Sequence, residues 1–225
     1  MRRLVAVLLL VLGVPSLALA SHTDPKRQID AADQRKAASI VLKRTDFVAG
    51  WSKAADVPGD DDGHVSCPGY NPTEADLVLT GDAEGAFKRP EGFPVVFSGA
   101  NVYKTKANAL ASWSRGAKPA MAPCFAKFMK KEIEAGGAQV RIARAGTVTF
   151  PRLAPRTIAL KIVLEVSVTN AGETSTLPFT VNIVGVGNGR GDATLMTMGF
   201  GAGVAMPEVR AFAKLLSARL AAAKL

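Results

Sequence analysis

Histidine is nearly missing from this chain: His22 and His64 are the only two in 225 residues. That leaves little room for imidazole-based catalysis or for a histidine-rich metal centre. Cysteine is equally sparse, with Cys67 and Cys124 alone and no Cys-x-x-Cys pair, so neither a dithiol redox motif nor a zinc ribbon is available. Aromatic residues make up 6% of the chain, too few for the stacking platforms of single-stranded nucleic-acid binders. The basic residues are scattered, with no run longer than two. A nucleic-acid partner is therefore not expected, although a basic surface still favours anionic partners through attraction that salt screens.

The one sustained apolar run, residues 4–12, falls short of the roughly 20 residues a spanning helix needs and is broken by Gly13 and Pro15. Arg2 and Arg3 precede it and Ala18-Leu19-Ala20 follows it. A positive start, an apolar centre and an A-x-A site in that order are the pattern of a secretory signal peptide. Residues 1–20 are read as that leader, cleaved after Ala20, with no transmembrane segment afterwards. Cleavage removes two arginines and takes the formal net charge from +9 to +7. The expected location is secreted, extracellular or in the cell envelope, and the expected state is a monomer.

In an oxidising compartment two cysteines predict a Cys67–Cys124 disulfide. Two free thiols, or half a metal site, are the alternative. Residues 21–28 are read as a flexible N-terminal tether and 29–225 as a single α+β domain, large enough to bury a core. Helical spacing of Ile29, Ala32, Ala37, Ile40 and Val41 predicts a first helix over 25–43, with Asp24 as cap and Pro25 at its first position. Gly50 and Trp51 follow it, and Trp51 reads as an anchor between that helix and the body. Residues 56–94 are so punctuated by Gly, Pro and Asp that only 77–79 looks strand-like, and a long loop is expected there.

Residues 95–104 read as a strand, and 106–136 as two helices separated by Gly116, Pro119 and Pro123. Strands are then expected at 138–143, 146–150, 157–169, 174–186 and 193–200. In 157–169, Ile158, Leu160, Ile162, Leu164, Val166 and Val168 alternate with a mixed set that includes Lys161 and Glu165, the pattern of a strand whose one face covers a core. A final helix begins at Pro207, its apolar stripe formed by Val209, Phe212, Ala213, Leu216 and Leu220. The fold class is therefore α+β, an antiparallel meander sheet of five to six strands packed with helices and stapled by one disulfide.

The Ala-rich first helix ending in Asp46-Phe47-x-x-Gly50-Trp51, a first Cys in a loop, a second Cys in the helix after a strand, and a closing meander plus helix resemble the secreted sensor-type domains of actinobacteria. The extracellular domain of the mycobacterial PknH kinase is one of these, and the layout is similar to the PsbP-like α-β-α sandwich. The resemblance implies a non-catalytic envelope domain with a groove for a ligand, and it carries over no functional residue.

The residues offer few centres of chemistry. Asp60-Asp61-Asp62 lacks the alternate ligand spacing of calcium loops and reads as a solvated acidic stretch. His64 could serve Ser66 or Ser98, yet no Gly-x-Ser-x-Gly elbow frames a nucleophile. Asp56, Glu74, Asp76, Glu84 and Glu165 offer carboxylates, but no spacing selects a glycosidase-type pair. Gly199-Phe200-Gly201-Ala202-Gly203 reads as a tight strand-to-helix connection rather than a phosphate loop. No catalytic residue, metal site or cofactor is expected. The expected function is a binding or sensor-type domain for a small apolar or amphiphilic ligand or an envelope protein, with Trp51 and Trp113 as candidate ligand contacts. A secreted hydrolase of envelope material centred on His64, or an interaction protein without a small ligand, is the alternative.

Overall fold

The computed structural model describes residues 24–54, 65–170 and 173–225. The leader, His22, Asp56, the acidic stretch at Asp60 to Asp62, and His64 lie outside them.

The first helix starts later than its sequence suggests. Lys26–Arg27 (β1), within the expected tether, instead forms a two-residue strand running parallel to a later one. Helix α1 spans Ala31–Ile40. Its cap is Asp30 rather than Asp24: the Asp30 carboxylate accepts from Ala32 N at 2.9 Å and Asp33 N at 3.0 Å, satisfying amides that the first turn leaves open. Asp33, Ala37 and Ile40 form its buried stripe. A 3₁₀ turn at Arg44–Asp46 and the short strand Ser52–Lys53 (β2) follow.

The largest correction falls within 56–94. Instead of a loop with a hint of strand, Val78–Lys88 is an eleven-residue strand, β3. Its glycines read as breakers but are places of close approach. A methyl at Gly81 would lie 2.5 Å from the Asp33 carbonyl, and one at Gly85 would lie 2.9 Å from Leu42 O. Only residues without a Cβ allow α1 and the chain after it to lie this near the strand.

β4 (Val95–Tyr103), α2 (Lys106–Gly116) and α3 (Met121–Ala135) follow, but Pro123, expected as a break, lies in the first turn of α3, where a proline costs no intrahelical hydrogen bond. Thr105 caps α2 by accepting from Asn108 N at 3.1 Å. The two strands expected at 138–150 are one, β5 (Gln139–Thr147), bent by a register shift between Ile142 and Arg144. β6 (Arg156–Asn170), β7 (Glu173–Asn188), β8 (Gly191–Phe200) and α4 (Met206–Ala222) complete the chain.

The sheet is larger than five or six strands. It is open, has eight strands in the order β1-β3-β4-β8-β7-β6-β5 with β2 also on β3, and is mixed because β1 pairs parallel while the other pairings are antiparallel. β5 to β8 form the expected meander. The chain from β4 crosses the sheet through α2 and α3 to its far edge, then returns strand by strand until β8 lies beside β4.

Helices occupy both faces. Against one face, Ile40 of α1 and Val209, Phe212, Leu216 and Leu220 of α4 pack with Val96, Val184, Val186 and Leu195. On the other, Ala122 and Ala126 of α3 pack with Leu160, Ile162, Leu164 and Val166, the alternating apolar set of β6. Two part-buried ion pairs join distant segments. Arg190 donates to both Asp33 oxygens at 2.6 Å, and Arg219 donates to both Asp46 oxygens at 2.8 Å. The Cys67–Cys124 disulfide is formed, with Cα atoms 5.7 Å apart.

Candidate functional site

Cross-strand neighbours point to the same side of a sheet, so the register fixes which residues share the α2/α3 face. One row reads Asp82, Asn101, Asp192, Gly187, Arg156 across β3, β4, β8, β7 and β6. The next reads Glu84, Gly99, Thr194, Gly185, Ile158, and the third Ala86, Phe97, Met196, Ile183, Leu160. α3 packs over β5 and β6, while α2 sits at the ends of β4 and β8. The middle of the face lies between them. Phe97, Gly99, Thr194 and Met196 are only half-buried there. On the opposite face, Val96, Ser98, Leu195 and Thr197 are 0% exposed. The same two strands are thus sealed on one side and left accessible on the other among the described residues. Phe97 folds its ring toward Gly99, its Cζ 3.5 Å from where a methyl would stand, so the ring covers part of the strip.

One end of the strip is a polar corner. Trp113 of α2 rests on β7: a methyl at Gly185 would lie 3.3 Å from its Cη2. The Arg156 guanidinium sits 5.7 Å from the Trp113 ring centroid, within cation–π range. Its Nη2 donates to Gly191 O at 3.0 Å, and its Nε is buried without a hydrogen-bond partner. Burial lowers its pKa, with Asp192 opposing that effect. Asp192 lies in the same row. Burial, and then the charge of Glu74, push its carboxyl up to about 7, while Arg156 and a hydrogen bond with Asn101 pull it the other way. Tyr103 Oη and Ser112 Oγ are 2.7 Å apart, and Ser112 donates onward to Glu74. The corner thus gathers two carboxyl groups, a guanidinium, two hydroxyls and an indole.

Of the two tryptophans proposed as contacts, Trp113 borders this strip and Trp51 does not. Trp51 is 4% exposed and lies in the opposite core, its ring 5.0 Å from that of Phe47, with Nε1 unpartnered. Ser98 Oγ accepts from Leu42 N at 3.0 Å and is wholly buried, serving the fold. In the glycine-rich connection after β8, Gly201 N donates to Pro178 O at 2.8 Å and Gly203 N to Phe200 O at 3.2 Å, so those two amides are used within the fold. A pocket of about 320 Å³ lined by Val148, Phe150, Arg152, Pro155, Thr157 and Ala159 lies on the α1/α4 face and adjoins neither tryptophan.

Sequence reasoning missed Phe97, Arg156 and Asp192, and it met Glu74 only within an undirected set of carboxylates. The available signal was glycine at alternate strand positions: Gly185 and Gly187 in β7 admit Trp113 and Arg156 onto the sheet. No protein-family model matches the chain, and no curated protein matches it.

Proposed function

We propose that this chain is a secreted, non-catalytic binding domain of sensor type in the cell envelope, taking a small apolar or amphiphilic ligand on the strip between α2 and α3. The observation that carries the reading is the half-buried run of Phe97, Met196 and Thr194 on strands whose other side is sealed. Apolar surface left accessible on a sheet gains free energy when a ligand covers it, at about 25 cal/mol per Å². The polar corner at Trp113 and Asp192 would orient an amphiphile by its head, as few polar groups in a mainly apolar site do. The leader and the disulfide fit export.

Native mass spectrometry of the protein purified from its own host tests this. A small molecule released on denaturation is expected, and Met196→Trp, which fills the strip, should lose it. Repeated absence of any bound mass, or equal retention by Met196→Trp, would favour an interaction protein without a small ligand.

A further inference from the structure

The α1/α4 face of the sheet is only partly roofed. α1 packs over β3 and β4 and α4 over β7 and β8, while β5 and β6 carry the same face on beyond α4. Ala159 packs into the core under α4, so strand alternation points Lys161, Val163 and Glu165 to that side. The register sets Gly146, Arg144 and Arg141 beside them. Arg144 is exposed and Lys161 and Val163 are half-buried, so this part of the face is an open shelf. The connection between β5 and β6 walls one end of it. Phe150 and Leu153 pack against the α1/α4 core, Ser217 Oγ of α4 donates to Leu153 O at 2.7 Å, and the pocket of about 320 Å³ lies at the foot of this wall.

The charges around the shelf are nearly all positive. Arg210, Lys214 and Ser217 recur at helical spacing on one flank of α4, and the bond from Ser217 turns that flank toward the shelf. Arg219, on the other flank, donates to Val41 O and to Asp46 beside α1. α4 starts beyond Gly199, and the chain after it ends with Leu225 against Gly189 and Gly191. It therefore runs antiparallel to β8, and Lys214 and then Arg210 step along the shelf from the pocket toward Arg144. Arg144, Lys161, Arg210 and Lys214 enter no ion pair among the described residues. Arg152, at the pocket, donates to Pro155 O at 3.1 Å. Glu165 is the one carboxylate pointing onto the shelf among the described residues, and it is spent on Arg141, whose Nε donates to it at 2.8 Å.

We propose that this shelf is a docking site for a linear anionic glycan, one that carries sulfate, phosphate or carboxylate groups on successive sugars. Unmatched cations set along two walls suit charges repeated along a chain better than one compact anion, and neutralising them relieves their mutual repulsion. A flat bilayer is kept from Lys161, because α4 and the connection over 148–155 stand above the sheet on two sides. Single-stranded nucleic acid needs aromatic side chains on which to stack its bases, and the shelf offers only Phe150, at its closed end. The site lies on the opposite face from the strip between α2 and α3 and stands whether or not that strip takes a ligand.

Titration of a fluorescently labelled heparin oligosaccharide with the full disulfide-bonded chain, at roughly 0.15 M ionic strength, tests this. Saturable binding is expected, with an affinity that falls steadily as salt rises. Arg144→Gln/Lys161→Gln should weaken it about tenfold. Arg210→Gln/Lys214→Gln should do about the same and decides alone if the first pair does not fold. Lys127→Gln/Lys131→Gln removes equal charge from the exposed side of α3, on the other face, and should leave affinity within about twofold. Equal losses from all three pairs would mean attraction to net charge alone and overturn the site. The absence of binding would overturn it too, as would tighter binding to single-stranded DNA or to vesicles of anionic phospholipid that the two shelf pairs weaken equally.

Discussion

Asp33 is buried and Asp192 half-buried, and their surroundings drive them in opposite directions. The hydrogen bond from Arg190 lowers the pKa of Asp33; burial opposes it, and Thr80 adds a second lowering bond. A depressed native pKa contributes stability that is complete above the ordinary carboxylate range and is lost as pH falls through the native value. Asp33→Ala also strands Arg190, and leaving one partner of such a pair unmatched costs about 3–5 kcal/mol. Urea unfolding at neutral pH should show a loss of that order, which the double variant Asp33→Ala/Arg190→Met should partly recover. Asp192 behaves in reverse. An unfolded aspartate is charged above about pH 4, whereas the native carboxyl keeps its proton to about 7. The native state then binds more protons in that window, so raising pH through it removes stability. Asp192→Asn should flatten this decline, raising stability at pH 8 relative to wild type by up to a few kcal/mol. A wild-type Tm that rises steadily from about pH 4 to 7 would contradict the assignment.

Within the elements, the test of close approach is Gly81. A methyl there would strike the Asp33 carbonyl and Gln34 N, 2.5 and 2.7 Å away, both backbone, so α1 would have to lift off β3. Gly81→Ala should lower the denaturant midpoint by the equivalent of about 1–3 kcal/mol. Gly146→Ala, where nothing lies within 4 Å, should stay within about 0.5 kcal/mol. Equal effects would mean that strand propensity rather than packing governs both sites. The same glycines explain what could be read beforehand. β6 and β7 were legible because Ile158, Leu160, Ile162 and Leu164 alternate over a long stretch. β3 was not, because Gly81, Asp82 and Gly85 look like turn residues until α1 is placed against them. The first helix starts later than its sequence suggests because Asp24 and Asp30 are both residues that can cap a helix. Only the pairing of Lys26 with Val78, a contact distant in sequence, selects Asp30. The strip was invisible for a related reason: Phe97 and Met196 become neighbours only through the β4–β8 register.

Across the whole molecule, sequence-distant contacts close the fold. Residues 157 and 173 positions apart are joined by the Arg190–Asp33 and Arg219–Asp46 pairs, tying the segment before β3 to the last strand pair and last helix. β8 lies beside β4 although α2, α3 and three strands separate the two in sequence. The disulfide acts on a different loop: it spans 57 positions and encloses β3, β4 and α2. Restricting the unfolded chain over that distance is worth about 4 kcal/mol on the chain-entropy model. Reduction, or Cys67→Ser with Cys124→Ser, should therefore lower unfolding free energy by about that much. It should also loosen the start of segment 65–77 from α3, where the Cys67–Cys124 bond holds it. Urea unfolding with and without reductant, together with hydrogen exchange of residues 65–77, measures both effects. If reduction leaves both stability and protection unchanged, the crosslink does not hold this segment, and its contacts with α2 and the burial of Leu77 beside Leu79 and Tyr103 carry it.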